Sequence, residues 1–247
     1  MNIRLSFLLA LFALGACAPT PTPRTAVGLQ PLGRCPASSW QPATPPPTAS
    51  AKTSIILLAV QEWGRFGKQT LTFSRTNEPR LEWLGVQERD APERIRDYWA
   101  AVDKPELSGL NDIPWSAAFI SWAIESAGVP RDLFCPDQRH TIYVERLVER
   151  ARRPGAGFIP HRPKEYTPRV GDLLCSSREG SGTTLDNLNR GAGHCDIVVE
   201  VRPSEVHAIG GNVRDSVSRS IFPLDASGYM TALPGRPLFA VIENRLP

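Results

Sequence analysis

Apolar residues recur every three or four positions through residues 53–66, so that Ile55, Ala59, Trp63 and Phe66 share one side. That spacing predicts an amphipathic helix, with Thr53 as its cap and Gly67 as its stop. Asp90-Ala91-Pro92-Glu93 has the form of a capping box and predicts a second helix with Ile95, Tyr98 and Trp99 turned inward. A third helix is expected over residues 114–127, ended by Gly128 and Pro130. A fourth starts near Asp137 and carries Val144, Leu147, Val148 and Ala151. Trp63, Trp99, Trp115 and Trp122 all fall at helical positions and read first as core.

After residue 165 the period shortens. Residues 172–176, 194–201, 205–209, 213–222 and 238–243 are short, rich in β-formers and separated by turn signals. Helices first and strands after predict an α+β domain, with N-terminal helices packed on a C-terminal antiparallel sheet. Residues 176–193 are polar and glycine-rich, and are expected to form a loop beside the strand that starts at His194. No internal repeat is evident.

The two ends of the chain differ in kind. Arg4 precedes an apolar run over residues 5–16, which is too short to span a bilayer and has the form of an export signal. Leu14-Gly15-Ala16-Cys17 resembles a bacterial lipobox. The resemblance implies that residues 1–17 are a signal peptide and that Cys17 carries the lipid, giving a membrane-anchored lipoprotein of the bacterial cell envelope. Ala18 after the cysteine, by the same resemblance, implies the outer membrane, facing the periplasm. Residues 18–50 hold nine prolines and five threonines with only Arg24 and Arg34 charged. Such a segment cannot build a core and reads as an extended tether. The domain proper is expected over residues 51–247.

Composition adds little beyond permission for a core: 41% hydrophobic and 21% charged residues, with a formal net charge of +3. No long basic run marks a nucleic-acid partner. Five cysteines are an odd count for an exported chain, and lipidation of Cys17 leaves four, with three possible connectivities. Pairing the two β segments as neighbours favours Cys175 with Cys195, which leaves Cys35 for Cys135; reduced, buried thiols are the alternative.

Pro114 suits the first turn of the third helix, because its missing N–H would lack a partner there anyway. Ser116 then lies where free N–H groups and the positive helix end accumulate. That end contributes roughly 0.3–1 kcal/mol, less than one pKa unit at about 1.4 kcal/mol per unit. It could help form a thiolate but not an alkoxide, so a serine needs a general base. His194 opens a strand, and alternation places it on one face with Asp196 while Cys195 and Ile197 take the other. Asn212 follows Gly210-Gly211, which lets the backbone turn tightly and present an amide.

Trp115-Ser116-Ala117-Ala118-Phe119, Gly171-Asp172-Leu173, Gly193-His194 and Gly210-Gly211-Asn212 together resemble the ordered motifs of the papain-like cell-wall hydrolases of the CHAP and NlpC type. Within that superfamily the likeness is to an uncharacterised exported branch with serine where the catalytic cysteine would stand. The resemblance spans about residues 110–220. It implies a papain-like fold, a Ser116–His194–Asn212 triad in place of cysteine, histidine and asparagine, and peptidoglycan or other cell-wall fragments as partner. Trp115, His140 and Asp196 are the candidates to line a substrate groove, with a capping or surface role, in the first turn of the fourth helix, as the default reading of His140. The implied activity is a peptidoglycan amidase or endopeptidase. The serine leaves open a non-catalytic envelope-binding module, and a serine esterase or acyltransferase. His161 and His207 read as surface residues. No cofactor is implied, and no histidine–carboxylate pair has the spacing of a metal site.

Overall fold

A computed structural model describes residues 35–42, 49–76, 78–178, 180–188 and 191–247. The expected signal peptide, Cys17 and most of the expected tether lie outside the described residues.

The elements run α1 (Ala51–Arg65), β1 (Thr70–Thr72), β2 (Arg80–Trp83), a 3₁₀ turn (Glu88–Asp90), α2 (Pro92–Ala100), α3 (Ser116–Ser126) and α4 (His140–Ala151). Six strands follow: β3 (Phe158–His161), β4 (Leu173–Ser177), β5 (Gly193–Val201), β6 (Glu205–Gly210), β7 (Ser218–Pro223) and β8 (Leu238–Asn244). The protein is α+β. Its strands form one eight-stranded sheet in the order β2-β1-β7-β6-β5-β4-β8-β3.

The sheet is mixed rather than wholly antiparallel: β1 runs parallel to β7, and the other neighbours are antiparallel. The extra strands β1, β2 and β3 extend it at its ends. β1 has only three residues and all four of β2 are exposed, so neither carries the alternation by which a half-buried strand is recognised.

Helix starts moved by a few residues for local reasons. Ser50, not Thr53, caps α1, its hydroxyl accepting the N–H of Thr53 at 3.3 Å. Asp90 closes the 3₁₀ turn, and Pro92 opens α2 at a position where its ring is tolerated. Arg139 is extended, so α4 starts at His140, while the Asp137 carboxylate accepts the Arg139 N–H at 3.0 Å ahead of the helix. The expected strand over residues 213–222 starts only at Ser218, because Asn212, Arg214 and Asp215 take left-handed backbone (φ 56°, 48° and 58°).

Both faces of the sheet are covered. The larger apolar cluster packs the four helices against one face through Leu173, Cys175, Cys195, Ile197, Ile209 and Ile242; the smaller gathers Leu71, Phe73, Leu174, Val198, Val206 and Phe222 on the other. Trp99, Trp115 and Trp122 are buried in the helical core, and Trp63 packs against it half-buried. His207, expected at the surface, is buried between Glu205 (2.9 Å) and Glu200 (3.3 Å), because β6 lies in the middle of the sheet.

Two disulfides close the structure. Cys175–Cys195 joins directly opposed residues of β4 and β5. Cys35–Cys135 staples the segment before α1 to the loop before α4, where Arg131 also donates to the Pro36 carbonyl and Trp40 packs on the core. Two disulfides point to an oxidising compartment outside the cytoplasm. No helix among the described residues is long and apolar enough to cross a membrane.

Candidate functional site

Every residue of α3 except Glu125 is buried, so this helix is fixed on all sides and its N-terminus is a rigid point in the fold. No side chain caps it. The first-turn N–H groups, from Ser116 onward, therefore keep the orphan character of a helix start.

Ser116 is the first residue of α3 and His140 the first of α4. The Ser116 hydroxyl and His140 Nε2 are 2.7 Å apart, and His140 Nδ1 meets the Tyr143 hydroxyl at 2.5 Å. His140 and Tyr143 are three apart on α4, the spacing that stacks side chains on one helix face. With its proton on Nδ1, the imidazole donates to Tyr143 and accepts from Ser116. Burial, followed by the neighbouring His194, holds the His140 pKa well below the usual imidazole value, so the ring is neutral at pH 7.

His194 belongs to a second centre. Its Nε2 is 2.9 Å from Asp196 Oδ1, and Arg236 donates to Asp196 Oδ2 at 2.8 Å. The alternation along β5 holds as expected, but the face is decisive. Cys195 and Ile197 join the helical core, whereas Asp196 pairs with Arg236, whose guanidinium stands over Phe73 and Phe222 of the other cluster. Burial opposes ionisation of Asp196, yet Arg236 and His194 outweigh it and hold the carboxyl at about 2. Burial also lowers His194, against the pull of Asp196. The two imidazole rings are 5.5 Å apart.

The residue in contact with Ser116 is thus His140, expected only to line the groove, while His194 is held by Asp196 and lies beside His140, ring to ring at 5.5 Å. The Asn212 amide is directed to Glu88, donating at 3.2 Å to the same carboxylate oxygen that takes the Trp115 indole N–H at 2.8 Å, and it bonds to no imidazole among the described residues. Trp115 is fully buried and supports the start of α3 from beneath. The Gly-Gly pair before Asn212 is required by close approach. A Cβ on Gly210 would lie 2.0 Å from Asp196 Oδ1, and one on Gly211 would lie 2.5 Å from the Phe119 Cβ.

Two cavities flank these centres. One, of about 370 Å³, is lined by Trp99, Pro114, Ser116, His140 and Gly193; the other, of about 340 Å³, by Ser176, His194, Asn212, Arg214 and Arg236. Arg178 lines both. Each is large enough for a small ligand group. The Trp99 indole N–H, in the wall of the Ser116 cavity, has no hydrogen-bond partner among the described residues. Among those residues no group of three His, Cys, Asp or Glu side chains is placed to hold a metal ion.

His140 and Tyr143 were legible only in part. A histidine opening a helix, with a tyrosine three residues on, marks a shared face, but nothing in the chain says that this helix start meets the start of α3. A family model described as an uncharacterized protein conserved in bacteria (DUF2272) matches residues 80–242, a span that holds both centres. No curated protein and no solved structure matches the chain.

Proposed function

The chain belongs to this bacterial DUF2272 family, and from its site we propose that it is an exported serine-type hydrolase of acyl bonds, with Ser116 as nucleophile and His140 as general base. One observation carries the reading: a serine hydroxyl 2.7 Å from a neutral imidazole, at the converging starts of two helices. As Ser116 Oγ attacks the substrate carbonyl, His140 Nε2 takes its proton and then returns it to the leaving amine or alcohol. Water, activated by the same imidazole, releases the acyl group from Ser116. The first N–H groups of α3 offer hydrogen bonds to the oxyanion. Tyr143 holds the imidazole by its Nδ1, the orienting role that the triad first gave to Asn212.

The order of the motifs supports a cell-wall substrate, as in the papain-like hydrolases the sequence resembles. The proposed substrate is thus a peptidoglycan amide, reached by a lipoprotein anchored through Cys17 at the outer membrane. A fluorophosphonate probe should label the protein at Ser116, and purified sacculi should release fragments. Absence of both, or equal release by Ser116→Ala, ends the catalytic reading.

A second reading, an envelope module that binds without cleaving, is favoured by the burial of Ser116, which is only 3% exposed, and by the suppressed basicity of His140. A labelled muropeptide would then bind tightly and stay intact. An esterase or acyltransferase would instead show labelling of Ser116 and turnover of simple esters without release from sacculi.

A further inference from the structure

The Asp196 side of the sheet carries more positive charge than its own contacts use. The cavity beside His194 is lined by three arginines, Arg178, Arg214 and Arg236, and by no carboxylate. Arg236 is engaged with Asp196, 1% exposed behind the cavity wall, whereas Arg178 and Arg214 are exposed and enter no ion pair among the described residues. Ser176, opposite His194 in the β4–β5 ladder, lines the same cavity. It is 5% exposed, and its hydroxyl lacks a hydrogen-bond partner among the described residues. A buried polar group left without a partner is costly and uncommon.

The turn that carries Arg214 is held in place at some expense of backbone comfort. Asn212, Arg214 and Asp215 all have positive φ, a strained setting for residues with a Cβ. Contacts from three sides fix it. The buried Gln69 amide donates to the carbonyls of Val213 (2.9 Å) and Arg214 (3.2 Å). Ser216 donates to the Val86 carbonyl at 2.7 Å, and the Glu88 N–H donates to the Asp215 carbonyl at 2.7 Å. Arg214 is thereby presented from a fixed turn rather than from a free loop.

We propose that this cavity is an anion-binding subsite, in which Arg178, Arg214 and Ser176 receive a carboxylate or phosphate group of a ligand. These two groups share the acceptor-oxygen chemistry that a guanidinium fork matches. Because Arg178 lines both cavities, the subsite adjoins the Ser116 cavity at that residue, and it selects substrates that bear an anionic group near the acyl bond. That last step rests on the proposed nucleophile; the anion site itself does not.

The test uses the full chain and two matched probes, N-acetyl-glycylglycine and its terminal amide, which differ only in the charge of the end group. Titration calorimetry at low salt should show the carboxylate binding roughly tenfold more tightly, the scale of one charge-assisted hydrogen bond. The preference should persist in Ser116→Ala and vanish in Arg178→Gln/Arg214→Gln, whose unchanged far-UV circular dichroism would certify folding. Inorganic phosphate should compete for the same site; competition stronger than that of the carboxylate assigns the subsite to phosphoryl groups, and weaker competition to carboxylates. Equal binding of acid and amide, or a preference that survives loss of both arginines, overturns the proposal. A preference retained by a protein with no Ser116-dependent labelling would keep the subsite and remove only the nucleophile.

Discussion

Ser116 and His140 are the first residues of two different helices, and their side chains meet at 2.7 Å. The start of α3 contributes orphan N–H groups and a partial positive charge beside the Ser116 hydroxyl, and α4 contributes the His140 ring. The helix start favours negative charge on that oxygen. It also explains why a base can be useful there although burial weakens it: the developing imidazolium is disfavoured, but the oxyanion that forms with it is not.

Ser116→Cys should convert this preference into a measurable thiol. Its pKa should fall below the ordinary value of about 8.5, because a helix start and an adjacent imidazole both favour thiolate. The rate of iodoacetamide alkylation against pH reads that midpoint, and the other described cysteines are tied in disulfides. His140→Gln in the same background should raise it. A midpoint at or above 8.5 would mean that the site does not stabilise an anion at this position.

Hydrolysis, if catalysed here, requires neutral His140. The His140 pKa is lowered, so kcat/KM should be flat at neutral pH and decline only well below pH 6.5. Removing the base in His140→Ala should reduce the rate roughly 10²–10⁴-fold. His194→Gln should leave most of the rate and shift the acid limb upward, since the charge on His194 is one of the causes lowering His140. Loss of activity in His194→Gln equal to that in His140→Ala would restore His194 as the base.

α1, α2 and α4 were legible from apolar residues at helical spacing, and the central strands, buried on both faces, from short runs of β-formers bounded by turn signals. The even positions of β5 were also correctly grouped: His194 and Asp196 do share a face. What alternation cannot say is which face looks toward the helices when both faces of a sheet are covered. The apolar Cys195 and Ile197 were the available signal that their face of β5, and not that of His194 and Asp196, joins the helical core. Arg236 was beyond reach in another sense, since its bond to Asp196 spans 40 residues and a turn without periodic pattern. The Cys175–Cys195 bond, by contrast, followed from strand pairing alone, as the two residues stand opposite each other.

Acid should destabilise the fold in two steps. The folded-state pKa values of His140 and His194 are lowered, so below pH 6.5 the unfolded chain binds protons that the folded chain resists, and stability declines. Asp196 is also lowered, from 3.8 to about 2. Its contribution, of order 2 kcal/mol, is complete above pH 3.8 and lost as pH falls through 2. Urea unfolding from pH 7 to pH 2 should show both declines, and Asp196→Asn should remove the lower one. A constant free energy between pH 6.5 and pH 4 would contradict the lowered imidazoles.

The Cys35–Cys135 bond should matter more than its position outside the core suggests. It closes a sequence separation of 100 residues, against 20 for Cys175–Cys195. Chain-entropy arguments assign roughly 4.7 kcal/mol to the longer loop and about 3 to the shorter. The shorter bond also joins strands that a hydrogen-bonded ladder already holds together, whereas residues 35–42 are held by few other contacts, among them Arg131 to the Pro36 carbonyl and Ser38 to Asp103. Cys35→Ser/Cys135→Ser should therefore lower the urea midpoint more than Cys175→Ser/Cys195→Ser. It should also expose Trp40, half-buried against the core, to fluorescence quenchers. A larger loss from the β4–β5 pair would show that the cavity left in the sheet outweighs loop closure, and that residues 35–42 stay docked without their covalent tie.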